Sequence, residues 1–356
     1  MRAAVLLLVS VSAAFAQQPR IANAKLQSRS AGSGLDSAVQ SILGSQSAPA
    51  WIGYSVPIVA GEHQNCCWTN GSMNGCALEP GRSENTTLVN GTAVSGNRTV
   101  QLEGATHLFV LLRAEANKIG KVRTFTPDCD LDAGGLTLYW LSDVKAADSV
   151  RYLSGLAKNA GVTREEERRN ESAVSALALH ADPSADNALE ALAGASQPEA
   201  LRRKAIFWLG NARGRRGYEV VSRIVREDSN DKIREHAVFA LTQNKDPGAI
   251  PAVVRVARED KAPRVRGQAL FWLAQRAGKK VAESELSHAI ENDPETEVKK
   301  KAVFGLTQIP ENEGIPILIQ VARDNKNPAV RKQAMFWLGQ SKDPRALSFF
   351  EQVLSR

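Results

Sequence analysis

Histidine, cysteine and long apolar runs are all scarce in this 356-residue chain, and each scarcity removes a class of chemistry. The five histidines, His63, His107, His180, His236 and His288, are scattered, and none is followed by Glu. A dinuclear iron centre needs several imidazoles and carboxylates converging, and that supply is missing. No G-x-x-x-x-G-K-S/T, H-E-x-x-H or G-x-S-x-G occurs, which excludes the usual phosphate-cradling loop, zinc-protease helix and nucleophile elbow. The stretch "GNARGRRG" (210–217) has glycines but is expected at a turn between helices. A Ser/His/Asp set assembled only in space stays open. After the first residues, no segment is apolar enough to span a membrane.

The chain opens with "MRAAVLLLVSVSAAFAQQ". One Arg, an apolar run of about a dozen residues and Ala14-Phe15-Ala16 predict an export signal over 1–16, cut before Gln17. An anchored helix is the weaker reading, because a bilayer needs roughly 20 apolar residues. No Cys follows the cut, which argues against a lipid anchor. The expected location is therefore outside the cytoplasm, periplasmic or secreted.

Export changes how Cys66, Cys67, Cys76 and Cys129 read. An even count outside the cytosol predicts disulfides. A bond between the adjacent Cys66 and Cys67 is disfavoured by geometry. Cys129 then pairs with 66 or 67, and Cys76 takes the other. A metal site using His63 in "HQNCC" lacks the second short ligand pair that zinc sites use. No metal or cofactor is expected. The net charge of +7 comes from interleaved basic and acidic residues, which predicts a solvated surface rather than a nucleic-acid footprint. One basic cluster, 201–217, could meet an anionic surface.

What the chain has in abundance is repetition. "KAIFWLGN" (204–211) returns as "QALFWLAQ" (268–275) and "QAMFWLGQ" (333–340). Aligned on the Ala before the aromatic pair, the anchors are Ala205, Ala237, Ala269, Ala302 and Ala334, spaced by 32, 32, 33 and 32 residues. A weaker sixth copy centres on Ala173. A near-constant period in this range marks a solenoid. Each unit carries a V/I/L-R/K dipeptide before the anchor, apolar residues at helical spacing, a breaker such as Asp246-Pro247-Gly248, and a second apolar helix. Asn327-Pro328 predicts an N-cap followed by Pro at the first helical position. The residue three past the anchor alternates large and small: Trp208, Ala240, Trp272, Gly305, Trp337. A ring in one repeat facing a small residue in the next fills space without overpacking, so the tryptophans are expected in the core.

The phrase V-R-x-x-A-x-x-x-L, as in Val330-Arg331-Lys332-Gln333-Ala334 through Leu338, resembles the HEAT-like repeat of the phycobilisome-lyase type over 170–356. Taken whole, the chain resembles an exported bacterial HEAT-like repeat protein with an N-terminal β domain. The resemblance implies a helical array and no particular activity, because such repeats serve both enzymes and binding scaffolds. Deoxyhypusine hydroxylases resemble this repeat and hold two irons with His-Glu pairs, which this chain lacks. Bilin lyases work inside photosynthetic cells, which an export signal argues against.

The first half has a different texture. Residues 17–50, rich in Ser, Ala, Gln and Gly, predict a flexible leader with one short helix at "LDSAVQSIL". From Trp51, short β-type runs such as "WIGYSVPIV", "TTLVNG", "RTVQLE", "THLFVLLRAE", "KVRTFT" and "LTLYWLSDV" alternate with turn residues. The expected organisation is α+β in two domains. A small disulfide-linked β domain spans 51–146, a helical linker 147–169, and an all-α HEAT-like solenoid of about six helix pairs 170–356. In "DCDLDAGG", Asp128, Asp130 and Asp132 alternate as calcium ligands do, but Ala133 and Tyr139 stand where that loop needs Gly and Glu. A turn between strands is the better reading. Sequons at Asn85 and Asn90 matter only in a glycosylating host.

Together these features predict a non-enzymatic scaffold that binds a protein through the concave face of its solenoid. The polar positions of the second helices, Arg223, Arg226, Arg255, Arg258, Gln320, Arg323 and Gln352, are the expected partner face. The alternative is an enzyme or metal- or ligand-binding protein with its site in the β domain or at the domain junction, drawing on Asp128, Asp130, His63 and His107.

Overall fold

The most apolar runs of the first half become central strands, because a strand buried on both faces needs no polar alternation. These are β3 (Ala50–Pro57) and β5 (His107–Glu115), paired antiparallel with Trp51 opposite Arg113. The computed structural model describes residues 19–61, 65–67, 75–79, 105–159, 161 and 163–355. The expected export signal, His63, the sequons at Asn85 and Asn90 and the runs "TTLVNG" and "RTVQLE" lie outside the described residues. The chain divides into two compact units, Met1–Asp182 and Pro183–Arg356.

The first unit holds two sheets. Strand β1 (Ile21–Ala22), β7 (Asp130–Asp132) and β4 (Gly75–Ala77) form a short parallel sheet in the order β1-β7-β4. The main sheet has the order β2-β8-β3-β5-β6, with β2 (Lys25–Ser30), β6 (Lys118–Phe125) and β8 (Thr137–Ser142). Strands β2 and β3 both run parallel to β8. Helix α1 (Leu35–Ser45) carries the chain between them, as parallel pairing requires. The β5–β6 hairpin turns at Ala116 and Asn117, whose φ values of 49° and 58° suit a primed two-residue turn. Trp51, Phe109, Leu111, Leu138 and Trp140 pack in one core, with Phe109 edge-on to Trp140 at 5.4 Å. A Cβ on Gly53 would lie 2.6 Å from Leu111 and 3.0 Å from the Trp140 ring, so only glycine admits both.

Two features of this unit differ from the sequence expectation. Residues 19–50 are built into β1, β2 and α1 rather than left as a flexible leader. Every residue of β2 is exposed, so its composition carries no burial signal, and the backbone of β8 supplies its structure. The stretch expected as a helical linker is helical, but its helices α2 (Ala146–Lys158) and α3 (Arg164–Ala178) pack together, with α3 also against β6. Thr163 and Glu166 close a reciprocal capping box at the start of α3. The sixth copy centred on Ala173 is this helix, so the array itself begins after Asp182.

The second unit alternates first and second helices after an opening helix α4 (Ser184–Ala193). The first helices are α5 (Glu199–Ala212), α7 (Asp231–Thr242), α9 (Pro263–Arg276), α11 (Thr296–Leu306) and α13 (Pro328–Gln340). The second helices are α6 (Gly214–Glu227), α8 (Ala249–Glu259), α10 (Lys279–Asn292), α12 (Ile315–Asp324) and α14 (Pro344–Leu354). Successive first helices stack on one another. All five anchor alanines are fully buried, which lets the helices approach closely. Asn230, Asn327 and Asp343 cap α7, α13 and α14 through their side chains, the middle one followed by Pro as the sequence predicts.

Candidate functional site

A buried ionic ladder joins the repeats. The Arg of the V/I/L-R dipeptide lies inside the stack at Arg202, Arg234 and Arg266. Each pairs with the Asp that follows the second helix of its own repeat: Arg202 with Asp228, Arg234 with Asp260 and Arg266 with Asp293. Arg234 and Arg266 also donate to the carbonyl oxygens of the preceding repeat's Asp228 and Asp260, at 2.9 and 2.8 Å. The same carboxylates accept from the backbone two residues on, at Asn230, Ala262 and Glu295. Hydrogen bonds donated to Asp260 and Asp293 raise the pKa of Arg234 and Arg266 above the ordinary guanidinium value. The ladder stops where Lys299 and Asn325 replace Arg and Asp. Lys299 turns to the Glu291 carbonyl, and Asn325 donates to the Glu291 carboxylate. The sequence signal for this ladder is an Asp or Asn at the end of α6, α8, α10 and α12, 26 or 27 residues after the Arg or Lys.

The seven polar residues expected as a partner face lie on α6, α8, α12 and α14, and all are exposed. Several are engaged between neighbouring second helices. Arg223 pairs with Glu190 of α4, Arg258 forks onto the buried Glu285 of α10 at 2.7 and 2.8 Å, and Arg323 donates to Gln352 of α14 at 2.7 Å. Arg226 reaches Glu227 at 3.6 Å. Arg255 and Gln320 have no partner among the described residues. A cleft of about 300 Å³ opens between α12 and α14, lined by Arg323, Phe349 and Gln352 among others.

The aromatic stripe lies on the first helices and differs from a closed core. Phe207, Trp208, Phe239, Phe271, Trp272, Phe304 and Trp337 are partly exposed, and Phe336 is 54% exposed. Their rings touch in one unbroken series. Trp208 meets Phe207, which stacks on Phe239 at 5.9 Å; Phe239 meets Trp272 at 4.7 Å, beside Phe271. Phe271 then stacks on Phe304 at 6.1 Å, and Phe304 meets Trp337 at 5.0 Å, beside Phe336. A Cβ on Gly210 would collide with the Ala240 carbonyl, so α5 and α7 approach closely there. The indole nitrogens of Trp208, Trp272 and Trp337 are buried with no acceptor among the described residues.

One helical turn beyond each Phe stands an amide: Asn211, Gln243, Gln275, Gln308 and Gln340. In the two repeats with a small residue, Gln243 and Gln308 donate to Thr242 and Thr307. In the three repeats with Trp, Asn211, Gln275 and Gln340 are exposed and unpartnered among the described residues. On the other side of the stripe lie Arg203, Lys301 and Lys332, also exposed and unpaired among those residues. Lys301 lays its aliphatic chain across Gly267, where a Cβ would meet it.

Of the first unit's candidates, Asp128, Asp130 and His107 lie among the described residues. Asp130 pairs with Arg20 at 3.2 Å, and Arg20 also donates to the Asp128 carbonyl. Asp132 is buried and accepts from Asn23 at 3.1 Å and from the Gly134 N–H at 2.8 Å. His107 contacts Thr106. Among the described residues no three His, Cys, Asp or Glu side chains are placed to hold a metal ion. The cysteines pair as Cys66–Cys129 and Cys67–Cys76, with Cα separations of 5.4 and 5.1 Å. A buried relay escaped sequence reasoning because its members are 31 and 95 residues apart. Tyr54 Oη lies 2.8 Å from Ser149 Oγ, which lies 2.8 Å from His180 Nε2. His180 Nδ1 sits 2.8 Å from the Ala176 carbonyl, which places the ring proton on Nδ1 and makes Nε2 the acceptor. All three residues are fully buried. Burial drives the Tyr54 pKa well above that of a free phenol.

With this geometry the second unit is a HEAT-like repeat array, and residues 185–274 and 283–356 match the family of HEAT repeats. No curated protein matches the sequence. Among solved structures the chain is similar to human deoxyhypusine hydroxylase in complex with glycerol, at 17% identity over 59% of this chain and 82% of that one, with a TM-score of 0.29. It is also similar to the CpcE–CpcF complex of phycocyanin lyase from Nostoc, at 22% identity over 45% of this chain and 100% of that one, TM-score 0.33. A third is the Escherichia coli protein YibA, at 20% identity over 59% and 79%, TM-score 0.37.

Proposed function

We propose that the protein is a non-enzymatic interaction scaffold working outside the cytoplasm, in the cell envelope or beyond it, and that it binds a protein partner along its helical array. The observation that carries this reading is the unbroken aromatic stripe over five successive first helices, with three amides on one side and three cations on the other that have no partner among the described residues. Exposed aromatic surface in series is costly to leave in water and marks an interaction site. Evenly placed amides both donate to and accept from a main chain. Unpaired Arg203, Lys301 and Lys332 favour an acidic partner. The fitting occupant is an extended, acidic segment of another protein. The two disulfides and the export signal expected over 1–16 support the location.

The second-helix row offers a second face, favoured by the cleft at Arg323 and Gln352 and by the unengaged Arg255 and Gln320. One capture experiment separates the two. The full mature chain, a stripe variant (Lys301→Glu, Lys332→Glu, Phe336→Ala) and a second-helix variant (Arg223→Glu, Arg255→Glu, Arg323→Glu) are immobilised and exposed to envelope and secreted extract. A protein lost only by the stripe variant, and released by salt, is the expected result. Loss only by the second-helix variant moves the site to that face. Retention by both variants moves it to the first unit, and no retention by any form overturns the scaffold reading.

A further inference from the structure

The two disulfides pack against the same apolar core, but among the described residues only Cys67–Cys76 meets a charged group. Cys129 is fully buried, and its bond to Cys66 lies in the apolar core with Trp51, Phe109 and Leu131. Cys67, like Cys66, is partly buried, Cys76 is buried, and the bond between Cys67 and Cys76 faces a cation. Arg123, on β6, places Nη2 3.0 Å from Cys67 Sγ and 2.6 Å from Cys76 Sγ. Its Nη1 donates to the Ala77 carbonyl at 2.9 Å, and the Phe125 ring lies 4.9 Å beneath the guanidinium. The nearest carboxylate, Glu79, is already engaged by Arg113 and Trp51. Arg123 has no ion-pair partner among the described residues, and its burial disfavours the charge. A neutral disulfide gives such a cation little. A thiolate at the same position would give it a counter-ion in a low-dielectric site, where the pairing is strong.

We propose that Cys67–Cys76 is a thiol–disulfide exchange site whose substrate is a dithiol, with Arg123 as the positioning cation, while Cys66–Cys129 is structural. A substrate thiolate attacks Sγ of Cys67, the more accessible sulfur. The Cys67–Cys76 bond breaks, and its electron pair leaves on Cys76 Sγ, facing Arg123 Nη2. The substrate's second thiolate then attacks the substrate sulfur of the mixed disulfide and releases Cys67 as a thiolate. The dithiol leaves oxidised by two electrons, and the protein holds Cys67 and Cys76 reduced. Stabilising the leaving thiolate both speeds the attack and shifts the equilibrium toward the reduced pair. This inference is independent of the array and its partner.

The test equilibrates the full oxidised chain in reduced and oxidised dithiothreitol at set ratios, traps free thiols by alkylation and counts them at each cysteine by peptide mass spectrometry. Cys67 and Cys76 are expected to reduce with an equilibrium constant at least tenfold larger than that of Cys66 and Cys129, about 30 mV for two electrons. Arg123→Met should remove at least that factor from Cys67–Cys76 alone, and Arg123→Lys should keep most of it. In the native protein, alkylation of reduced Cys67 and Cys76 should follow a thiolate pKa below the roughly 8.5 of a free cysteine. That profile decides the matter even where Arg123→Met fails to fold. Simultaneous reduction of both disulfides, or an ordinary thiol pKa at both residues, overturns the proposal.

Discussion

Arg234 grips Asp260 through two parallel N–H···O bonds of 2.9 and 3.0 Å, with both side chains almost fully buried. The Asp260 carboxylate also turns the chain into α9 by accepting from Ala262. One pair thus fixes both the end of a second helix and the start of the next repeat. Asp260→Asn leaves a buried guanidinium without its anion, and the expected loss is about 3–5 kcal/mol. Urea unfolding followed by helical circular dichroism measures it. Removing the exposed, solvent-screened Arg215–Glu219 pair should have a far smaller effect. Equal effects at the two sites would mean that the ladder does not hold the array.

The aromatic stripe divides into rings that hold the stack and rings that face water. Trp272→Ala removes contacts to Phe239 and Phe271 and should cost about 2–4 kcal/mol, somewhat under the value for a closed core because the ring is partly exposed. Phe336→Ala, at a ring that is 54% exposed, should cost under about 1 kcal/mol. The full chain's unfolding midpoints rank the two, and the reverse order would contradict the assignment of Phe336 to the surface.

Gly210 offers a sharper test of packing, because alanine is ordinarily the better helix former by about 1 kcal/mol. Here its Cβ would meet the Ala240 backbone. Gly210→Ala should therefore lower stability by about 1–3 kcal/mol. A stabilised variant in the same unfolding assay would show that α5 and α7 are not in close approach at that point.

Glu79 links the first unit to pH. Burial pushes its pKa up, but hydrogen bonds from Arg113 and Trp51 and the Arg113 charge outweigh that, and the net shift is downward. A depressed carboxyl contributes its full stabilisation above the unfolded pKa of about 4.3 and loses it as pH falls through the folded value. Hydrogen exchange at the β5 amides should show the native protein better protected than Glu79→Gln at pH 6, with the gap closing toward pH 3. A gap of constant size across that range would sink the assignment.

The sequence alone determined the period of the array, its helix–turn–helix units, the buried anchor alanines and the capped start of α13. These follow from local rules: residues spaced by a helical turn share a face, and Pro and Asn punctuate helices wherever they stand. It also limited the cysteine pairing to two possibilities. Tertiary structure decided the rest. It chose Cys66–Cys129 and Cys67–Cys76, drew the exposed β2 into a sheet whose partner strand lies over a hundred residues away, and turned α2 and α3 from a linker into part of the first unit. It placed the tryptophans on a half-open stripe and tied several of the second-helix arginines to neighbouring helices. Composition and periodicity report which face of an element is apolar. Only the packed neighbours decide how far that face is covered and which charges find one another.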